Sequence, residues 1–378
     1  MISRALQRLD AAIAAAGEAA SGACLRAERA GLLARMGDID GAKAVLGELR
    51  AQQARVAQPS LAAWLSLVDG LIEHFDSVGA QARERIARAH ALATAARDRP
   101  LLALSAAWLA SMDYANGDLP GVARHVAEAL QEAAHDHHAA RSRASVVVAQ
   151  SYHWGGRLDL AQPWYQRARE HASADGDEAT LSSLMANRAW VIGEQLRLAS
   201  ILGEDGHAPD SNALRQALIG AESTANYDQH VGKSSLRWWL PMLRAQLLLA
   251  KGRDAEALAM FDVHMPVALE EGLAYMSPVL YADLAWCRVR LGHKEAALVD
   301  ARVAEAGFSA ECEPEDCAGA HGRLAQVFEA LGLAQEAHSH AAQAATHLQA
   351  LRAQQLQLVG LLDAALAQVP GLPVRAVR

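Results

Sequence analysis

Helical runs along this chain repeatedly stop at Gly, pass a polar residue, and resume with a small apolar residue five positions after the Gly. Gly37-Asp38 with Ala42, Gly156-Arg157 with Ala161, Gly252-Arg253 with Ala257, Gly292-His293 with Ala297 and Gly332-Leu333 with Ala337 share this form. Gly117-Asp118 has Val122 in the last slot, and a weaker copy has Ser77 in place of the Gly, followed by Ala82. The turns fall at 37, 77, 117, 156, 252, 292 and 332, and five of the six gaps are 39 or 40 residues. Self-similarity at a fixed period marks a repeat architecture. Ala217 lies 40 residues before Ala257 and supplies the missing anchor, which leaves an insertion of about sixteen residues between Ala161 and Ala217. The turn-rich stretch at 203–211 holds it. The pattern predicts eight antiparallel helical hairpins with one expanded turn.

Each recurring residue has a physical reason. Gly accepts the left-handed backbone where the first helix stops. Asp just after it caps the next helix. The small Ala lets the two helices approach, and Tyr165 and Phe261, four residues after their Ala anchors, fill the space toward the neighbouring hairpin. Ala149 and Tyr152, three apart, share a helix face. Short polar links at 96–100, 135–138, 174–178 and 311–316 separate the hairpins without a domain boundary. Residues 1–19 read as a first helix, and Asp10 and Glu18 interrupt any signal-peptide core. After the last turn Leu351, Leu358, Leu362, Ala365 and Val369 form an apolar stripe that ends at Pro370 and Pro373. The organisation expected is therefore a solenoid over 1–345, a capping or dimerising helix over 346–369, and a tail at 370–378.

The segment Ala149–Ala168 reads Ala-Gln-Ser-Tyr-His-Trp-Gly-Gly-Arg-Leu-Asp-Leu-Ala-Gln-Pro-Trp-Tyr-Gln-Arg-Ala. Its order of small residue, Tyr, Gly, Ala, aromatic and Ala resembles the tetratricopeptide repeat signature, and the spacing carries the resemblance along nearly the whole chain. The 40-residue period is longer than the usual ~34 and is similar to the long variant in bacterial signalling proteins, though no output domain follows. The resemblance implies an all-α, right-handed superhelical solenoid whose first helices line a concave groove for peptides or partner segments. One groove slot would hold Ser111, Gln150, Trp190, Gln246, Trp286 and Gln326. Slots one turn away would hold Tyr114, His153, Trp154, Glu194, Arg290 and Glu329, with Arg143 and Trp239 near helix starts and Asn187 beside the groove. Amides would pair with a peptide backbone and indoles would receive its apolar side chains. The alternative for Trp190 and Trp286 is packing between helices. No repeated Lys, Arg and Asn set clamps a terminal carboxylate.

Composition agrees with this picture and narrows the function. Hydrophobic residues make up 52% of the 378, but aromatics only 5%. The excess is Ala and Leu, which favour helix over strand. A net charge of -8 with alternating signs argues against a nucleic-acid partner. No stretch reaches the ~20 apolar residues of a membrane span. Four cysteines in so long a chain need no disulfide framework, so a cytoplasmic location with reduced thiols is expected. Cys312, Cys317 and His321 lack a fourth zinc ligand and read as an acidic loop with incidental Cys; a disulfide between the two is the alternative. His135, His137 and His138 read as loop residues, and His338 and His340 do not share a helix face. No nucleophile elbow, phosphate loop or H-E-x-x-H helix is present. The expectation is a protein- or peptide-binding scaffold, an adaptor or sensor without catalytic residues, metal or cofactor. The alternatives are an assembly subunit that forms homodimers through its C-terminal helix, and a small-molecule-sensing domain.

Overall fold

A computed structural model describes residues 3–17, 20–77, 79, 81–202, 211–231, 238–309 and 312–372. They are helical throughout, with no strand among them. Helix α1 (Arg4–Ala16) precedes eight hairpins. These pair α2 (Ala20–Arg35) with α3 (Ile39–Arg55), α4 (Pro59–Ser77) with α5 (Ala82–Ala96), α6 (Arg99–Ala115) with α7 (Leu119–Glu132), and α8 (His138–Trp154) with α9 (Leu158–Asp175). They continue with α10 (Glu178–Leu202) and α11 (Ser211–Val231), α12 (Trp239–Ala250) and α13 (Asp254–Ala268), α14 (Ser277–Arg290) and α15 (Lys294–Ala306), and α16 (Pro314–Ala330) and α17 (Ala334–Leu366). The expanded turn expected at 203–211 lies outside the described residues except for Ser211, which opens α11. Residues 1–19 supply α1, an extra helix ahead of the first hairpin.

The turn chemistry works as its residue types dictate. Gly37, Gly117, Gly156, Gly252, Gly292 and Gly332 take φ between 68° and 87°, where a side chain would be strained. Asp38 Oδ1 then accepts the Gly41 amide at 3.2 Å, and Asp118 Oδ1 accepts the Gly121 amide at 3.0 Å. The anchors Ala42, Ala161, Ala257 and Ala297, and Val122 in the same slot, have no exposed surface, so helix meets helix there without a bulky side chain between. One connection departs from the polar links. From α13 to α14 the chain stays coiled, through a π turn at Leu269–Leu273 and a 3-10 turn at Ala274–Met276. Gly272 at φ 140° makes this bend, a conformation closed to other residues.

The chain packs as two compact units. The first comprises Met1–Leu184, Asn226–Ser235 and Leu356–Arg378; the second comprises Met185–Ala225 and Leu236–Gln355. In the first unit, Leu49, Leu61, Leu67, Ile86 and Leu101 are fully buried in a core spanning α1 to α6. A neighbouring core takes in Leu358, Leu362 and Val369 from the end of the chain, beside Tyr152 and Trp164. Tyr152 Oη donates to Asp363 Oδ1 at 2.6 Å and fixes that segment. In the second unit, Phe261, Leu280, Leu324 and Phe328 are fully buried. Helix α17 passes unbroken through the boundary expected at 345. The apolar stripe of its sequence is buried within the chain: Leu351 is 2% exposed, and Leu358 and Leu362 have no exposed surface.

Candidate functional site

In the second unit, helices α10, α12, α14 and α16 turn polar side chains toward one another. Gln246 Nε2 on α12 donates to Asp283 Oδ2 on α14 at 3.1 Å. Asp283 Oδ1 accepts from Arg323 Nε on α16 at 3.0 Å, and neither side chain is more than 5% exposed. Arg323 Nη1 donates to Gln326 Oε1 at 2.7 Å, and Gln326 Nε2 donates to the carbonyls of Ser200 and Ile201 at the end of α10. Glu194 Oε2 accepts two bonds from Arg197, at 2.8 and 3.1 Å. A Cβ on Gly319 would lie 2.5 Å from that guanidinium, so a larger residue there would have to displace Arg197. Trp286 is half-buried with Arg323 5.7 Å from its ring centroid. Asn187, Trp190 and Trp239 are half-buried, and both tryptophans pack on the cores. Arg290 is exposed and pairs with Asp254 at 3.0 Å.

The expected groove residues of the first unit are buried or half-buried. Gln150 is 8% exposed and His153 3%, with His153 Nδ1 3.0 Å from Tyr165 Oη. Trp154 is half-buried against the core. Arg143 is 8% exposed, and its guanidinium sits 4.0 Å from the ring centroid of Trp108. Among the described residues it makes no hydrogen bond and no ion pair. Burial, helped by the nearby charge of Arg35, pushes it down to about 9, so it stays protonated at neutral pH. Arg35 is better placed: its Nη2 donates to Asp177 at 2.7 Å and to Thr180 at 2.5 Å. The structure thus joins Gln246, Gln326 and Trp286 through Asp283 and Arg323, which the sequence reading did not select. The signal was there, since Asp283 and Arg323 each lie three residues before a slot residue, on the same helix face.

None of the twelve expected residues lines the clefts at Trp64 or along α11 to α13. In the first unit a cleft of about 630 Å³ runs along α2, the link before α4, and Asp98. Trp64 and Leu25 form its apolar wall, and its charged linings among the described residues are Glu28 and Asp98. Trp64 and Glu28 also line an inner cavity of about 50 Å³, shared with Arg35 and Trp108. Burial pushes the Glu28 carboxyl up, against the pull of Arg8. Burial, then Asp98, pushes the Cys24 thiol up as well, which leaves it a poor nucleophile. In the second unit a cleft of about 500 Å³ lies along α11, α12 and α13. Pocket-sized clefts with a few convergent polar groups are where ligands and partners settle.

No group of three or more His, Cys, Asp or Glu among the described residues is placed to hold a metal ion. Cys312 and Cys317 are joined in a disulfide with their Cα atoms 6.0 Å apart, while Cys24 and Cys287 are free. The reading of all four thiols as reduced therefore does not hold here: with four residues between them, at the start of α16, this pair comes within bonding reach. His321 faces His340, with their Nδ1 atoms 2.8 Å apart, and stacks on Phe308. Burial, then His340 and His347, pushes it down to about 4. His138 and His171 form a similar pair at 3.0 Å, so His138 packs against α9 rather than standing free in the loop. No helix among the described residues is long and apolar enough to cross a membrane.

No protein-family model matches the chain, and no curated protein matches its sequence.

Proposed function

We propose that the chain is a tetratricopeptide-like superhelical scaffold, an adaptor or sensor without a catalytic role, which holds a segment of a partner protein on the side lined by its first helices. The observation that carries this is the first-unit cleft. An indole wall, an open volume of about 630 Å³ and an inner cavity meet at Trp64 and Glu28. Among its described linings the charges are Glu28 and Asp98, so the segment it suits carries an apolar anchor beside a Lys or Arg. The inner cavity, about 50 Å³, has room for only a few waters beside such an anchor. Of the residues expected from the repeat resemblance, Gln246 and Gln326 bond within the chain, which leaves the Trp64 cleft as the more open surface for a partner.

The test is a peptide-library selection against the full chain, followed by affinity measurement on Trp64→Ala and Glu28→Gln. Selected peptides should pair an apolar residue with a basic one. Their affinity should fall about tenfold or more on Trp64→Ala, the loss typical of a buried aromatic anchor. Equal affinity for the parent and for variants with unchanged far-UV circular dichroism would sink the proposal.

A further inference from the structure

The second-unit cleft differs in kind from the one just described. Each of its three helices contributes a single stripe. From α11 come Arg215, Leu218, Ile219 and Glu222, at spacings of three, four and seven. From α12 and its end come Arg244, Leu248 and Lys251, and from the start of α13 come Arg253, Glu256, Ala259 and Met260. The stripes make a trough about 500 Å³ in volume, open along three helices. Ile219 stands 54% exposed on one wall and Met260 is half-buried on the other.

The charges decide the occupant. Four cations and two carboxylates line a trough in a chain whose net charge is -8. Arg253 is committed to Glu256 through two hydrogen bonds. Arg215 donates to a neutral partner, Asn212 Oδ1, at 2.8 Å. Arg244 and Lys251 make no ion pair among the described residues. Among the described residues that line the trough, Glu222 is the carboxylate left to oppose Arg215, Arg244 and Lys251, which gives this lining a positive surplus. Apolar walls with a cationic floor fit a helix that is apolar on one stripe and acidic on the flanks. A nucleic-acid backbone fits less well, because Glu222 and Glu256 would face its phosphates and Ile219 and Met260 would gain nothing from them.

We infer that the trough between α11 and α13 is a docking site for an acidic amphipathic helix of a partner protein. Arg244 and Lys251 pair with its carboxylates, and its apolar stripe lies between Ile219 and Met260. The site is independent of the Trp64 cleft. It uses stripes of α11, α12 and α13 and shares no lining residue with that cleft.

The experiment uses the full chain and three fluorescein-labelled probes. One is an 18-residue peptide with Leu at helical spacing and Glu on the flanks, the second replaces each Glu with Lys, and the third is a single-stranded oligonucleotide of similar negative charge. Fluorescence anisotropy should show saturable binding of the acidic peptide alone, weakening as salt is raised. Arg244→Glu with Lys251→Glu should lower its affinity about tenfold or more, and Arg244→Gln with Lys251→Gln by an intermediate factor. Trp64→Ala should leave it unchanged, which separates this site from the first. Equal binding of the acidic peptide by parent and charge-reversed protein of the same thermal midpoint overturns the inference. So does binding of the oligonucleotide in preference to the peptide.

Discussion

Both units bury an arginine among their first helices, and they compensate its charge in different ways. In the second unit Arg323 meets Asp283 at 3.0 Å, and the other carboxylate oxygen is taken by Gln246. In the first unit Arg143 rests over Trp108 at 4.0 Å, while the nearby carboxylate of Asp177 is committed to Arg35 and Thr180. A carboxylate and a ring both favour the cation, but they behave differently when it is removed. A stranded buried carboxylate carries a large desolvation penalty, and an uncovered indole carries almost none. The same residue type should therefore be indispensable in one unit and nearly dispensable in the other.

The sharpest way to break this contrast is Arg323→Met. It removes the guanidinium bonded to Asp283, whose side chain is 0% exposed. A loss of about 3–5 kcal/mol is expected, by analogy with broken buried pairs. Chemical denaturation followed by tryptophan fluorescence measures it. Asp283→Leu combined with Arg323→Met should recover much of that loss, because no charge is then stranded. A double variant no better than the single one would show that packing, not charge, sets the cost.

How much of this could be read from the chain follows from what repeats. Turn glycines and anchor alanines recur at intervals near forty residues, so the hairpins and their order were legible. The division into two units was not. It arises where helices from distant hairpins meet, as when Gln326 reaches the carbonyls of Ser200 and Ile201, and no local spacing encodes that. Gln246 and Gln326 stood out as slot residues, but a slot does not say whether its amide faces a ligand or a neighbouring helix. Here both amides face the chain itself. Glu28 and Trp64 line a cleft whose wall includes a link between hairpins, and a reading of periodic positions alone passes over such places.

Acid should separate the units as well. In the first, burial and then the Arg143 charge push His74 down to about 4. Unfolded His74 takes up its proton near pH 6.5, and folded His74 only near 4. The stability tied to the neutral ring is thus present above 6.5 and is lost as the pH falls toward 4. The slope is about 1.4 kcal/mol per pH unit from this one group, about 3 kcal/mol in all. In the second unit burial, then Glu194, pushes Asp316 up to about 6. Its folded carboxyl takes up a proton before its unfolded one, so it gains stability over part of the same window and offsets the half-buried His321. Denaturation midpoints of the parent and His74→Gln between pH 7.5 and 4.5 read the first-unit effect directly. Parallel profiles would mean that His74 is free to protonate in the folded chain.

The smallest expected effect is the most telling for the comparison. Arg143→Met keeps an apolar stem against Trp108 and strands no carboxylate. What it removes is a ring–cation attraction of about 0.5–2 kcal/mol, and it also relieves the repulsion from Arg35 and the cost of burying the guanidinium. These terms oppose one another, so the thermal midpoint should move by the equivalent of about 1 kcal/mol or less, in either direction. A second readout does not depend on that cancellation. With the Arg143 charge gone, the proton affinity of His74 should rise, and its imidazole resonances should titrate at higher pH than in the parent. If the midpoint instead falls as far as in Arg323→Met, Arg143 is held by a full counter-charge, and the two units handle their buried arginines in the same way. If stability holds and His74 shifts upward, the ring is sufficient company for one arginine and the carboxylate is required by the other.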